Sequence, residues 1–367
     1  MHAGPPTTLA GVTETAELQQ MFREFAVTTA PRAPLYARLS AAIADDPEVA
    51  GLLAAAPPSQ GIPVLLFAAV HDLVLRGHAP DLAAHYPNLT DTPAADDPWP
   101  AFRDLCHREG PTIRGLLATR HTQTNEIGRC ALFLPAFGLV AAQTGHPITQ
   151  VDVGTSAGLT LLWHRYGYEY EPGGAVGGPS PVVLPCSVRG AVPLPTAMPR
   201  HAPGIGLDLQ PIDVTDADAV RWLEACCWPD QADRFHRLEA AVELARAAPP
   251  EIRQGDAVAT VSAAVREAAE HGHPVVTTSW ALSYLPEDGQ RAFVAELDRV
   301  ATEVDLSWVS VESPAQTPGL PIPSTAATEH LSVLALTTWR GGERRVHRLG
   351  TAHPHGYWLH WEAATGR

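Results

Sequence analysis

The sequence contains no lysine: its 25 basic residues are all arginines, against 40 aspartates and glutamates in 367 residues. The absence of lysine excludes a Walker A nucleotide loop, a Schiff base with pyridoxal phosphate and the ATP-anchoring lysine of protein kinases. The formal net charge is −15. Such an acidic chain is poorly suited to nucleic acids, because neutralisation of phosphates supplies most of the affinity of nucleic-acid-binding proteins.

Cysteine is scarce, and apolar runs of membrane length are absent. The five cysteines form no C-x-x-C pair, so we expect reduced thiols and no metal site. No uninterrupted apolar run approaches the roughly 18 residues of a membrane span. The first residues, MHAGPPTTLAG, lack the basic and apolar pattern of a signal peptide. These absences predict a soluble, cytoplasmic protein that binds neither a membrane nor a metal ion.

The first third of the chain has the periodicity of helices. Apolar residues from Leu18 to Phe25 follow the i, i+3, i+4, i+7 spacing of one helical face. Asp46-Pro47 has the form of an N-cap followed by proline at the first helical position. We therefore predict a helical cap domain over residues 1–120.

From residue 148 onward, short β-branched runs alternate with helical segments, which is typical of a parallel sheet covered by helices. The predicted strands are 148–153, 204–209, 274–279 and 306–312, and the predicted helices are 218–227, 233–248, 257–271 and 286–303. The Gly/Pro-rich segment 171–203 is predicted to be an inserted loop. Segments flanking Arg340-Gly341-Gly342-Glu343 predict an antiparallel hairpin on the sheet edge.

The predicted fold class is therefore α/β. Residues 121–367 would form a Rossmann-like, class I methyltransferase-type sheet with a C-terminal antiparallel hairpin, beneath a helical N-terminal cap. In open α/β sheets, ligands bind beyond the carboxyl ends of the parallel strands. The residues at those ends are consequently the candidates for a cofactor site.

The turn after the first predicted strand is rich in glycine. This strand contains Asp152, and Gly154, Ser156 and Gly158 follow it. Glycines there would let a ligand approach the backbone, and a helix predicted from Ala157 would present unpaired N–H groups to it. The pattern predicts a nucleoside-cofactor turn, although G-x-x-x-G also occurs by chance.

Two aspartates follow later strands or helices. Asp208 ends the second strand, where its carboxylate would accept hydrogen bonds from ribose hydroxyls, and Asp256 would accept one from an adenine amino group. The alternative role for such an aspartate is a helix N-cap. About 50 residues separate the glycine turn from Asp208, against about 20 in the Rossmann pattern. The insertion at 171–203 would account for the excess.

The chain resembles the DUF2332 family over most of its length. The motifs that carry the resemblance are QTNEIGRC at 123–130, GTSAGL at 154–159, GLDLQPID at 206–213, RWLEAC at 221–226 with WPDQ at 228–231, and GDA at 255–257. The resemblance implies a methyltransferase-like fold. The chain departs from the family pattern at Asp152, Thr160, His164 and Thr278, where Glu, Asn, Asp and His are usual. These departures surround the predicted cofactor mouth and argue against inherited use of S-adenosylmethionine (SAM).

A narrower resemblance is to the methyltransferase-like subunits that close aziridine rings in azinomycin-type antibiotic biosynthesis. It implies that an amine displaces sulfate on a carrier-protein-bound amino acid, without a cofactor, and that a small partner subunit accompanies the enzyme. Proximity would supply much of the rate, since well-oriented internal reactions gain about 7–11 kcal/mol.

Four residues are the candidates for catalysis. Arg129 would stabilise the departing anion through two parallel hydrogen bonds, or else belong to a structural network at the start of a helix. Glu126 or Glu312, the latter at the end of the strand WVSVE, would take the amine proton. His164 is a further candidate for proton transfer.

Two other kinds of site fit the sequence less well. Gly154-x-Ser156-x-Gly158 matches the nucleophile elbow of α/β-hydrolases, with Asp208 or Asp256 and then His353 completing a triad. That fold needs several strands before the elbow, whereas helices are predicted there. We interpret the four histidines of the C-terminal region as surface or hairpin residues rather than metal ligands; they are His347, His353, His355 and His360.

Three functions therefore stay open. The first is SAM-independent intramolecular substitution on a small or carrier-bound substrate. The second is methyl transfer from SAM, with Asp208 on the ribose and Asp256 near the adenine. The third is a non-catalytic module that recruits a partner.

Overall fold

The computed structural model describes residues 9–58, 60–316 and 331–362 of the chain. Over these residues the protein is mixed α/β, with a helical N-terminal region and a large sheet in which parallel pairs outnumber antiparallel ones. The predicted α/β class is confirmed at this level.

The chain divides into two compact units. The helical unit comprises the chain through Thr124 together with Ala217–Glu239, and the sheet unit comprises Asn125–Asp216 and the chain from Ala240 onward. The chain therefore passes between units three times, whereas the division predicted at residue 120 has one passage. Hydrophobic periodicity cannot show which distant helices a segment such as 217–239 packs against.

Helices begin where local sequence favours them. The described helices are α1 (Leu9–Thr29), α2 (Pro34–Ala44), α3 (Pro47–Ala50), α4 (Pro63–Leu75), α5 (Pro80–Ala83), α6 (Trp99–Arg108), α7 (Gly110–Thr119), α8 (Cys130–Thr144), α9 (Ala217–Ala225), α10 (Ala232–Ala247), α11 (Ala257–His271) and α12 (Glu287–Val300). The predicted N-cap before α3 is confirmed: the Asp46 carboxylate accepts the N–H groups of Glu48 and Val49, both at 3.1 Å.

Aromatic and aliphatic side chains fill the core of the helical unit. Tyr36 stacks on Phe67 with ring centroids 4.1 Å apart. Trp222 of α9 and the neighbouring Cys226 are buried in the same core as these N-terminal helices. This shared burial of apolar surface is the reason that residues 217–239 belong to the helical unit.

The sheet unit is built on one sheet of eleven described strands. They are β1 (Ile148–Val153), β2 (Gly167–Glu171), β3 (Gly174–Val176), β4 (Val183–Arg189), β5 (His201–Asp208), β6 (Glu251–Gln254), β7 (His273–Ser279), β8 (Leu306–Glu312), β9 (Ser332–Arg340), β10 (Glu343–Ala352) and β11 (Trp358–Trp361), in the spatial order β3-β2-β4-β11-β10-β9-β8-β7-β1-β5-β6. Strands β6, β5, β1, β7 and β8 are consecutive parallel neighbours. Helix α11 packs against β1, β5 and β7, and α8 packs against β1, β4 and β8.

The Gly/Pro-rich segment 171–203 is not a loop, which corrects the prediction from sequence. It contains β3 and β4 and the start of β5. In β4 the side chains alternate between buried and exposed, with Leu184, Cys186 and Val188 buried. Pro185 pairs with β2, while the pairing of β4 with β11 begins only at Ser187. Proline is tolerated where a strand lacks one neighbour, so the composition concealed a regular strand.

Strands β9 and β10 form an antiparallel pair joined by Gly341 and Gly342. The pair lies inside the sheet, not on its edge as predicted, because β11 continues from β10 and pairs in turn with β4. Two of the four strands beyond β10, namely β3 and β4, come from the predicted loop.

The segment Ile127–Thr144 is, within the described residues, long and apolar enough to cross a membrane. Its mean hydropathy is 1.4, and 61% of it is buried inside the structure. A buried core helix meets the same criteria of length and composition, so this is weak evidence for a membrane span. The cytoplasmic location stays a prediction.

Candidate functional site

The candidate site lies at the carboxyl ends of the five parallel strands, all within the sheet unit. In the order of the chain, these strands are followed by Gly154, Leu209, Gly255, Trp280 and Ser313. Strand β1 has β5, the next of these strands in sequence, on one side and β7 on the other. A crevice at such a reversal of strand order is where open α/β sheets bind ligands.

The glycine turn after β1 is closed by packing. Gly154 has φ +73°, and a Cβ there would lie 2.8 Å from the Cβ of Ala281. Gly158 has φ +72°, and a Cβ there would lie 2.6 Å from the Cγ of Pro250. Both glycines thus provide the left-handed turn and room for neighbouring protein atoms, which leaves less room for a ligand than the sequence predicts.

Ser156 lies at the centre of this turn in a left-handed conformation, with φ +57°. Its N–H donates to Asp208 Oδ2 at 2.7 Å, and its carbonyl accepts the N–H of Ile212 at 3.1 Å. The residue is only 2% exposed, and its hydroxyl has no hydrogen-bond partner among the described residues. The serine of a nucleophile elbow is activated by a histidine hydrogen-bonded to its hydroxyl, and Ser156 has no such histidine among the described residues, so the geometry does not favour the hydrolase alternative.

Asp208 ends β5, as predicted, but both of its carboxylate oxygens accept backbone N–H groups. Oδ2 accepts from Ser156 at 2.7 Å and Oδ1 from Gln210 at 2.8 Å. The carboxylate therefore fastens the glycine turn to the end of β5. A ribose would have to share or displace these hydrogen bonds.

Asp152 lies beneath the turn and is buried. Its Oδ1 accepts the hydroxyl of Thr277 at 2.6 Å, and its Oδ2 accepts the hydroxyl of Thr160. Burial raises the pKa of Asp152, against the lowering effect of these hydroxyls. Its side chain is thus part of the core between β1 and β7.

The helix predicted from Ala157 is a short 3₁₀ helix, Leu159–Arg165, followed directly by β2. The N–H of Leu159 donates to the side chain of Asn125 at 3.0 Å. The backbone N–H groups at the start of this helix were predicted to face a ligand, but at least one of them is already hydrogen-bonded to a protein side chain. Seven residues of 3₁₀ helix also form a weaker dipole than a full α-helix.

His164 is not brought together with the other catalytic candidates. Its ring stacks on His201, with centroids 3.7 Å apart. His201 begins β5 and Asp208 ends it, a separation of about 23 Å at 3.3 Å per residue. Burial, together with the neighbouring His201 and Arg165, lowers the pKa of His164 to about 4.

Asp256 has the N-cap role that the sequence left as its alternative. Its Oδ1 accepts the N–H of Ala259 at 3.0 Å, at the start of α11. The side chain therefore satisfies a donor that the helix itself cannot pair.

Glu312 is the most unusual ionisable group at this edge. It ends β8 and is 1% exposed, and its Oε1 accepts the N–H groups of Ala281 at 3.0 Å and Leu282 at 3.4 Å. Burial raises the pKa of Glu312 to about 7, although these N–H groups, the Arg129 charge and the Thr278 hydroxyl oppose the rise. A carboxyl with this pKa changes protonation near neutral pH, as a general base must.

Arg129 lies beside Glu312 and joins two parts of the site. Its Nε donates to the carbonyl of Pro354 and its Nη1 to the carbonyl of Ser279, each at 2.7 Å. The guanidinium thus connects the end of β7 to the segment between β10 and β11. These two bonds match the structural network that the sequence left as an alternative to anion binding.

Glu126 contacts a residue that sequence reasoning set aside. Its Oε1 accepts the N–H of Gly128 at 2.9 Å, and its Oε2 lies 3.2 Å from Nδ1 of His355. His355 follows Pro354, the residue that Arg129 holds. The sequence shows His355 only as one histidine in HPHGY; the turn-forming Gly356, with φ +80°, was the available signal that this segment is built to a fixed shape.

A groove of about 400 Å³ lies on the sheet near this segment. Tyr357 lines it, together with Glu169 and Glu171 of β2 and Ser187 of β4. Its volume is within the range of small-molecule sites. The two carboxylates would favour a cationic group.

The site therefore offers two acid–base groups, Glu312 and His355, beside one fixed cation, Arg129. The residues predicted to bind SAM fit that cofactor poorly: Asp208 and Asp256 pair with backbone donors, and Ala281 closes Gly154. No group of three or more potential metal ligands occurs within the described part of the chain.

A family profile described as an uncharacterized protein conserved in bacteria (DUF2332) matches residues 19–361. No curated protein and no solved structure matches the chain.

Proposed function

The chain belongs to the DUF2332 family, and from that premise and the site geometry we propose that it is an enzyme of intramolecular substitution. In this reaction an amine displaces a leaving group such as sulfate on a neighbouring carbon of the same molecule, and a three-membered aziridine ring is closed. The reaction uses no SAM.

The observation that carries the proposal is Glu312. Its side chain is buried at the carboxyl edge, and its pKa of about 7 keeps a large fraction ionised at neutral pH. A substrate ammonium must lose a proton before its nitrogen can attack, and a positioned base of matched pKa accelerates such a step by about 10²–10⁴.

The chemical step balances within the substrate and Glu312. The ammonium proton passes to the Glu312 carboxylate, the nitrogen lone pair forms the new C–N bond, and the C–O bond breaks with its electron pair on the departing sulfate. Neither an oxidant nor a second substrate is needed. Arg129 acts as a positioning residue, because its hydrogen bonds to the carbonyls of Pro354 and Ser279 connect two parts of the site.

The substrate class follows from the resemblance to aziridine-forming subunits and is consistent with the site. A substrate attached to a carrier protein must reach the strand ends through an open approach, and the groove lined by Tyr357 has the volume for part of it. A small partner subunit belongs to the same proposal.

Methyl transfer from SAM is the second candidate, and the strand order favours it. Numbered by their occurrence in the chain, the five parallel strands lie in the order third, second, first, fourth, fifth. This is the order of the first five strands of a Rossmann fold, in which nucleosides bind where the order reverses. The occupied hydrogen bonds of Asp208 and Asp256 weigh against it.

Two measurements separate the candidates. Calorimetry with SAM and S-adenosylhomocysteine should detect no binding to the purified protein. Release of inorganic sulfate from vicinal amino sulfates, such as 2-aminoethyl hydrogen sulfate and its carrier-thioester analogues, should be accelerated. Micromolar binding of SAM, without sulfate release, would favour the methyltransferase.

Glu312→Gln is the decisive variant in the sulfate assay. Glutamine retains an oxygen for the N–H groups of Ala281 and Leu282 but cannot take a proton, so turnover should fall by about 10²-fold or more. Glu343→Gln, at an exposed position on β10, is the matched control and should leave turnover unchanged. Equal turnover in Glu312→Gln and the wild type would remove Glu312 from the mechanism.

A further inference from the structure

Glu126 and His355 form a carboxylate–imidazole pair at the same edge of the sheet. Glu126 Oε2 lies 3.2 Å from His355 Nδ1; the Glu126 side chain is 4% exposed and that of His355 is 28% exposed. The Glu126 carboxylate is thus shielded from water, whereas part of the His355 imidazole is exposed to solvent. The separation is that of an ion pair, so the carboxylate acts on the imidazole through its negative charge.

The backbone holds this pair in a fixed position. A Cβ on Gly128 would lie 2.4 Å from the carbonyl oxygen of His355, and one on Gly356 would lie 2.1 Å from the carbonyl oxygen of Gly128. The N–H of His355 donates to Nδ1 of His353 at 3.0 Å. Arg129 holds the carbonyl of Pro354 at 2.7 Å. Backbone contacts this close leave His355 little freedom to move relative to Glu126.

The contact determines the chemistry of the imidazole. A carboxylate at Nδ1 favours the tautomer with its proton on Nδ1 and stabilises the imidazolium once Nε2 also takes a proton. The other ionisable groups around His355 are Arg129, His353 and Tyr357; the rings of His353 and Tyr357 lie 5.5 and 6.5 Å from its ring. Within the described part of the chain, Glu126 is the carboxylate that contacts His355.

We propose that His355 is a further catalytic residue, whose Nε2–H stabilises the departing anion, and that Glu126 is the residue that positions it. This inference rests on the proposed substitution reaction. As the C–O bond breaks, its electron pair goes to the leaving group, and Nε2–H of the imidazolium donates a hydrogen bond to that oxygen; the proton stays on His355. Glu312 takes the proton of the amine.

This assignment changes the roles expected from sequence. Arg129 donates to two backbone carbonyls, whereas His355 offers a partly exposed donor held by a carboxylate. Glu126 acts through His355 instead of taking the amine proton itself. The base, Glu312, and the anion-stabilising group, His355, are then different residues. Arg129 lies beside Glu312 and donates a hydrogen bond to Pro354, the residue before His355.

The first test is independent of turnover. Nitrogen NMR of the histidine side chains should show a His355 signal, which is identified by its loss in His355→Gln. When the imidazole is neutral, this signal should show the proton on Nδ1. Inorganic sulfate should shift its Nε2 signal, and Glu126→Gln should abolish that shift and favour the opposite tautomer. His347, exposed on β10, is the internal control. A neutral His355 that carries its proton on Nε2, or whose Nε2 signal is indifferent to sulfate, would overturn the proposal.

The second test uses two leaving groups. With 2-aminoethyl hydrogen sulfate, His355→Gln should lower turnover by about tenfold to a hundredfold, and the loss of rate at high pH should disappear. With 2-bromoethylamine, whose bromide is a weak hydrogen-bond acceptor, the same variant should stay within about threefold of the wild type. Equal losses with both substrates would mean a structural role and overturn the proposal.

The two tests distinguish the failure of this inference from the failure of the proposed function. If the wild-type protein turns over neither substrate, the substitution reaction is wrong, and the proposed leaving-group role of His355 fails with it, whatever the NMR shows. If both substrates are turned over and His355→Gln behaves as the wild type does, only the role of His355 is wrong.

Discussion

The protonation of Glu312 should make the stability of the protein depend on pH. Burial raises the pKa of Glu312 from the ordinary 4.5 to about 7, so the folded protein binds this proton more tightly than the unfolded chain. The stabilisation is fully present below pH 4.5, falls as the pH rises to about 7, and stays constant above it. The difference between the two pKa values corresponds to about 3 kcal/mol.

Glu312→Gln isolates this contribution. Glutamine does not titrate, so the free energy of unfolding of the variant, minus that of the wild type, should rise by about 2.5 kcal/mol between pH 5 and pH 8. Any constant cost of burying the amide cancels in this comparison, because it does not depend on pH.

The assay is urea unfolding at both pH values, together with hydrogen exchange of the β8 amides, which reports opening of the sheet unit. Glu343→Gln should reproduce the pH dependence of the wild type, because that side chain is exposed. Parallel pH profiles for Glu312→Gln and the wild type would show that Glu312 ionises normally, and it would then be unsuited to act as a base near pH 7.

Three further changes test other residues at the carboxyl ends of the strands and in the segment that carries His355. Gly128→Ala should destabilise the protein by about 1–3 kcal/mol and shift the NMR signals of His355, because its Cβ would meet the His355 carbonyl; Gly115→Ala, with open space around it, should not destabilise in a thermal melt. Asp256→Ala should lower stability by about 1 kcal/mol through the lost N-cap yet leave turnover intact, whereas lost turnover would support the adenine contact. Arg129→Lys should lose about 1–3 kcal/mol in urea unfolding, because one ammonium cannot replace both bonds to the carbonyls; unchanged stability would contradict that role.

The positions of the candidate residues along the strands could be predicted from sequence, but their partners could not. Glu312 and Asp208 do end their strands, as the apolar runs before them predict. Only the structure shows that Asp208 pairs with the N–H of Ser156 and that Glu312 is excluded from water. A carboxylate at a strand end has the same sequence pattern in either environment.

The pair of Glu126 with His355 was beyond sequence reasoning for a related reason. Its members are far apart in the chain, and one lies before the first strand of the sheet while the other lies after the tenth. Their contact exists because Gly128 and Gly356 let two backbone segments touch. No local periodicity records such a contact.

The sequence by itself determined the local structure of this protein: strand β8 and helix α11 lie where periodicity predicts them, and the N-cap at Asp46 where its neighbours predict it. These features depend on side chains a few residues apart, whose spacing the sequence displays directly. Only the tertiary structure decided that 217–239 joins the helical unit and that β4 extends the sheet. Those outcomes, like the pKa of Glu312, depend on which distant surfaces exclude water from one another, and the order of residues along the chain does not contain that information.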